Sequence, residues 1–181
     1  MDAVVDASVY AAYEPEPAGE RGPSAAFAVR EAVPDDIPGC LDLVESVLKL
    51  DREPWRKKLS ESTMLHVAEE AGRIVGYARA TFWTPPDDAP ANAAPSGWYL
   101  MGLVVAPEQR RRGVGRALTR VRLEAIAERA SEVWYFASAR NQSSIDLHTR
   151  LGFVEVTRDF WFPGLTFEGG VGVLARCTFE A

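Results

Sequence analysis

The chain has 181 residues, 47% hydrophobic and 25% charged, with a net charge of −6; this mixture predicts one globular domain whose core needs no staple. No 18-residue apolar run and no basic-then-apolar leader are present, and two cysteines and two histidines leave little for a zinc site. A cytoplasmic chain with no membrane span, secretory signal or bound metal is therefore expected. The charge is uneven: residues 1–26 carry Asp2, Asp6, Glu14, Glu16 and Glu20 against Arg21, a net of −4 that leaves −2 for the rest. Such a chain is a poor partner for duplex nucleic acid.

Taken in chain order, residues 1–26 predict an acidic, Pro/Ala-rich arm, because Pro15, Pro17 and Pro23 interrupt any helix. Residues 27–181 form the expected domain. Phe27–Arg30 reads as a strand. Pro34-Asp35-Asp36 then offers a helix start, and Ile37, Leu41, Val44 and Leu48 supply one apolar stripe. A second helix is expected over Pro54–Ser60. Met64–Glu70 and Arg73–Trp83 read as a hairpin turning at Ala71-Gly72. Residues 84–96 hold four prolines and predict a loop.

Gly97–Val105 is nearly all apolar, which predicts a central strand buried on both faces. A helix is expected from Val114 to Ala130, a strand over Val133–Ser138 and a helix over Asn141–Leu151. Phe153–Phe162 and Val171–Phe179 read as a final strand pair, with Gly169-Gly170 at its turn. Cys40 and Cys177 sit in apolar contexts and are expected as reduced, buried thiols. The order predicts a mixed α/β sheet, largely antiparallel, with helices on its faces.

The chemistry concentrates where the central strand ends. Leu103-Val104-Val105-Ala106-Pro107 runs into Arg110-Arg111-Arg112-Gly113-Val114-Gly115-Arg116 and a helix. A helix start exposes unpaired N–H groups at the positive end of its dipole. Glycine lets an anion approach the backbone, and arginines add charge. A Walker loop is excluded because no Gly-Lys-Ser/Thr follows. A Rossmann fingerprint is excluded because Leu118 stands where a third glycine belongs.

Arg110-x-x-Gly113-x-Gly115, after a strand ending Leu-x-Val-x-Pro, resembles the acyl-CoA-binding motif of the GNAT superfamily of N-acetyltransferases. A second segment, Asn141 to Phe153, resembles that family's Asn-x-x-Ala-x-x-Leu-Tyr-x-x-Leu-Gly-Phe pattern. The resemblance covers about residues 27–180. It implies a sheet with splayed central strands and acetyl-CoA as co-substrate. Leu103, Val104 and Val105 would pair with the pantetheine arm, and a backbone N–H there would face the thioester carbonyl. Arg110, Arg111, Arg112, Gly113, Val114, Gly115 and Arg116 would cradle the pyrophosphate, and Asn141 would bond pantetheine or cap its helix.

The chain departs from the pattern at one position: His148 stands where the family carries its tyrosine acid. His148 would protonate the leaving thiolate or orient the thiol, and the alternative is a polar helix residue with no such task. No general base is evident; Tyr99 acting through water is one candidate and His66 another. Trp55, Trp83, Asp87, Asp88, Trp98, Phe160, Trp161 and Phe162 surround the expected acceptor region. Aromatics beside acids would suit a cationic or aromatic small-molecule amine, although packing alone also explains most of them. Open alternatives are a protein N-terminal or lysine acetyltransferase and a non-catalytic acyl-CoA sensor. A homodimer is compatible with the edges of the final hairpin and tail.

Overall fold

A computed structural model describes residues 27–180; the predicted arm at 1–26 lies outside the described residues. Seven strands run in the sheet order β1-β2-β3-β4-β5-β7-β6. These are β1 (Ala28–Glu31), β2 (Met64–Glu70), β3 (Arg73–Trp83), β4 (Gly97–Val105), β5 (Glu132–Ser138), β6 (Val154–Thr157) and β7 (Gly172–Thr178). The helices are α1 (Ile37–Leu43), α2 (Arg52–Ser60), α3 (Val114–Ala127) and α4 (Gln142–Arg150). The expected mixed α/β architecture is thus the observed one. The chain divides into two compact units, residues 27–81 with 101–125 and residues 82–100 with 126–180.

In the first unit, β1 and β3 flank β2 in antiparallel register, with Val29 opposite Ala68 and Val67 opposite Tyr77. Ala71 and Gly72 both take positive φ, 50° and 76°, the geometry of a tight hairpin turn. Cys40, Leu41, Val44, Leu59, Val67 and Tyr77 close one core. Ala68, Val75, Ala78, Val114 and Leu118 close another under α3. Gly76 lies where a Cβ would come within 3.1 Å of the Val104 carbonyl oxygen and of Val114, so a bare backbone brings β3 close to both.

The predicted single helix over residues 37–48 is α1 followed by a wider π-turn at Val44–Leu48, closed by Lys49 at φ 56°. Asp36 is buried. It accepts from the Val33 N–H at 2.8 Å and pairs with Arg30 at 2.6 Å.

In the second unit, β5 pairs antiparallel with β7, and β7 with β6. The sequence expectation of a long strand over 153–162 is corrected here: β6 stops at Thr157, and Trp161 makes only an isolated bridge to Ala93. Pro163 and Gly164 follow at once, and Gly164 takes φ 64°. β7 also lies between β5 and β6 rather than at the edge. The N-terminal half of β4 is buried through Trp98, Tyr99 and Leu100. Its later half is mixed, with Val104 buried but Gly102 exposed and Met101, Leu103 and Val105 partly so, which corrects the expectation of burial on both faces. Trp83, Tyr99, Phe136 and Phe162 interlock with ring centroids 4.5–6.1 Å apart, so Trp83 and Phe162, two of the aromatics expected near an acceptor, pack together in the second unit. Cys40 and Cys177 are free and buried, as expected.

Candidate active site

The residues expected at the cofactor sit on one continuous segment. Leu103, Val104 and Val105 end β4. They lie outside its parallel ladder with β5, which joins Tyr99 to Trp134 and Leu100 to Tyr135. A helical turn at Pro107–Gln109 follows, then Arg110 to Gly113. Arg111 takes φ 63° and Gly113 φ 88°. A Cβ on Gly113 would meet nothing within 4 Å. The first backbone bond of α3 runs from the Ala117 N–H to the Gly113 carbonyl at 2.9 Å. The amides of Val114, Gly115 and Arg116 precede that bond. The residue at the cap position has no side chain to cover them.

The arginines of this segment divide by environment. Arg111 is exposed, Arg116 is half-buried, and Arg110 Nε lies 3.4 Å from the Val105 carbonyl. Arg112 is engaged: it pairs with Glu70 at 2.8 Å and donates to Gln109, which itself donates to Glu70 at 2.5 Å. The hydrogen bond from Arg112, with a smaller one from Gln109, holds the Glu70 carboxyl below its ordinary range. Glu70, at the end of the first hairpin strand, thus latches the β2 end to the arginine loop. Sequence reading missed it because 42 residues separate the partners.

Arg122 has a different role. It belongs to the run of six arginines from 110 to 122, yet it is only 1% exposed. Its guanidinium donates to the carbonyls of Leu118, Arg79 and Met101 and to Thr119 Oγ1. With burial and no carboxylate to offset it, its pKa is pushed down to about 9. The cation cluster available to a ligand is therefore smaller than the sequence count.

Asn141 caps α4: its Oδ1 accepts from the Ser144 N–H at 3.1 Å. That leaves its two Nδ2 donors, besides the second lone pair of Oδ1, for any further contact. His148 is 2% exposed. Its ring stacks on Tyr135 at 3.7 Å and 9°, and Phe153 meets it edge-on at 5.2 Å. Its Nδ1 lies 2.8 Å from the Ser144 carbonyl oxygen. A carbonyl only accepts, so Nδ1 carries the proton, and in the neutral ring Nε2 carries the lone pair.

Tyr99 does not join His148. Its ring contacts are Trp134 and Phe136, whereas His148 stacks on Tyr135. Alternation along β5 puts these on opposite faces. Tyr99 is fully buried, and its hydroxyl donates to the Pro95 carbonyl at 2.6 Å. Burial raises its pKa further. A phenol so placed is a poor base, which corrects that expectation. His66 is half-buried with an unpartnered Nδ1, and burial lowers its pKa.

Residues 31–153 match the Acetyltransferase (GNAT) family. The chain belongs to the GNAT acetyltransferase family. The mycothiol acetyltransferase of Thermobispora bispora is 30% identical over 122 residues, which are 66% of this chain and 38% of that protein. The chain thus spans little more than a third of that relative's length. The ribosomal-protein-S18-alanine N-acetyltransferase of Escherichia coli has a similar fold at 17% identity, with a TM-score of 0.65 over 86% of this chain and 95% of that one. The ribosomal-protein-alanine N-acetyltransferase of Brucella melitensis gives 24% identity and a TM-score of 0.63, over 84% and 99%. The two segments that resemble the family's motifs lie on β4–α3 and on α4, and His148, where the resemblance leads one to expect a tyrosine, is the ring stacked on Tyr135.

Proposed function

We propose that the chain transfers the acetyl group of acetyl-CoA to the primary amine of a small molecule. The observation that carries this reading is the start of α3. Three N–H groups lie ahead of the first helical bond, over a glycine with open space, beside Arg110, Arg111 and Arg116. That arrangement suits a diphosphate, through the helix dipole, the bare backbone and the added cations. Leu103, Val104 and Val105 then offer strand-like backbone to pantetheine.

The reaction is aminolysis of a thioester. An ordinary alkylamine has a pKa near 10.4, so reaching its free form at pH 7 costs about 4–5 kcal/mol. The amine nitrogen attacks the thioester carbonyl, and the developing oxyanion is met by a backbone N–H near Val104 and Val105. The C–S bond breaks as the intermediate collapses. The amine gives up one proton and the thiolate takes one, so the products are the amide and CoA thiol. In this reading His148 handles a proton through Nε2, because Nδ1–H is held on Ser144. Neutral, Nε2 accepts; charged, it donates to sulfur.

Calorimetric titration with acetyl-CoA and measurement of CoA thiol release across an amine panel test the proposal. Micromolar binding and amine-dependent release are expected. Binding with no release above the hydrolysis background for any amine would identify a binding module instead.

A further inference from the structure

Arg79 lies on β3, and alternation puts its side chain on the same face as Tyr77. Its guanidinium stands 5.9 Å from the ring centroid of Trp55 on α2. Lys58, three residues further along α2, stands 4.9 Å from the same ring. Arg79 Nε is buried and has no hydrogen-bond partner, and the Tyr77 hydroxyl has none either. Among the described residues no carboxylate pairs with Arg79. Burial lowers its pKa, a cost that a bound anion would offset.

The surroundings are built and open. Arg122 donates to the carbonyls of Arg79 and Met101, fixing the backbone of β3 and β4 at this level. The next residue, Gly102, is exposed and takes φ 47°. A Cβ there would stand 3.6 Å from Arg79 Cδ, so its absence leaves the stem of Arg79 uncovered. Arg122 answers its burial with four acceptors of its own; Arg79, in the same unit, does not.

We propose that Arg79 and Trp55 form a subsite for a carboxylate on the acceptor, so that the substrate class is an amine bearing a carboxylate, of amino-acid type. The proposal rests on the acetyl-transfer reading above. A planar guanidinium matches a carboxylate through two parallel hydrogen bonds. Gly102 immediately precedes the residues assigned to pantetheine, so an acceptor anchored at Arg79 lies beside the strand that holds the donor. Two cations already share the Trp55 ring, and a polyamine would add a third. The subsite therefore selects against polycations as well as for anions.

The first test needs no variant. Rates of CoA thiol release are measured for the full chain with matched pairs, phenylalanine and its amide, leucine and its amide, with spermidine as polycation. The acids are expected to exceed their amides in kcat/KM by at least about tenfold, the scale of a charged hydrogen bond, with spermidine lowest. The amides hold the less basic amines, so intrinsic reactivity runs against this result. R79M is expected to raise KM for the acids about 10- to 100-fold with KM for acetyl-CoA unmoved, and R79K to restore part. Acids no better than amides, or an equal loss for both members of a pair in R79M, would overturn the proposal. If R79M does not fold, R79K and the wild-type pairs decide. If no amine is acetylated, the wider reading fails on its own. The subsite is then judged by tryptophan fluorescence on titration with acids and amides. A response to acids that R79M abolishes and R79K weakens sustains it, and no acid-specific response overturns it.

Discussion

The segments β4–α3 and β5–α4 are built alike, each a strand, a turn and a helix, but they treat the helix start in opposite ways. α4 begins under the Asn141 side chain, whose oxygen takes the Ser144 amide. α3 begins over Gly113, with no side chain to do so. Each helix then sends a large buried polar side chain inward. Arg122 of α3 reaches the carbonyls of β3 and β4, and His148 of α4 lies flat on Tyr135 of β5. A capped start satisfies its own amides, whereas an uncapped start beside arginines offers them to an anion. The contrast separates a helix start left open from one closed by its own cap.

The sharpest way to break the comparison is at His148. H148F keeps the stack on Tyr135 and should change stability by less than about 1.5 kcal/mol. If His148 moves a proton, turnover falls by about 10²–10⁴. Steady-state kinetics with urea unfolding separates the two effects, and a loss under threefold would make His148 purely structural. The α3 anchor should behave the other way. R122M leaves the Arg79 and Met101 carbonyls without their donor and should cost about 2–4 kcal/mol of stability, read from the urea midpoint. R122K should recover little, because an ammonium cannot span the same acceptors.

A smaller effect is expected at the cap. N141A should lose about 1 kcal/mol, seen in thermal unfolding. N141D keeps the accepting oxygen but not the Nδ2 donors. It should hold stability while weakening acetyl-CoA about fivefold, if those donors reach pantetheine. The smallest effect concerns the Glu70 latch. Its depressed carboxyl means that the latch is complete above the ordinary carboxylate range and is lost as pH falls through the lowered value. Acetyl-CoA affinity should drop on that acidic side. E70Q should weaken binding about two- to fivefold at pH 7 and flatten the acid limb in calorimetric titrations.

What was legible in the sequence follows from range. β2, β3 and β4 were predicted with the bounds observed, because a turn pair and a proline-rich loop mark their ends locally. The signature segment of α3 was legible for the same reason, since its residues are contiguous. The latch among Glu70, Gln109 and Arg112 was not, because charge alone does not say which acid meets which arginine. Nor was the burial of Arg122 legible, since only its register on α3 turns it to the sheet. Tyr99 looked available as a base, but its hydroxyl is taken by a carbonyl four residues away. The insertion of β7 between β5 and β6 is a long-range choice that no local pattern encodes.

The two cysteines have a practical consequence. Cys40 lies in the first unit and Cys177 in the second, and both are buried. Burial pushes the Cys40 thiol up to about 12 and raises that of Cys177 as well. Neither forms the reactive thiolate while its surroundings stay closed. A thiol reagent used to follow CoA release therefore has a low background from the protein itself. In denaturant, each thiol becomes a reporter of local opening, so labelling followed by peptide mass analysis gives the opening free energy of each half of the chain separately.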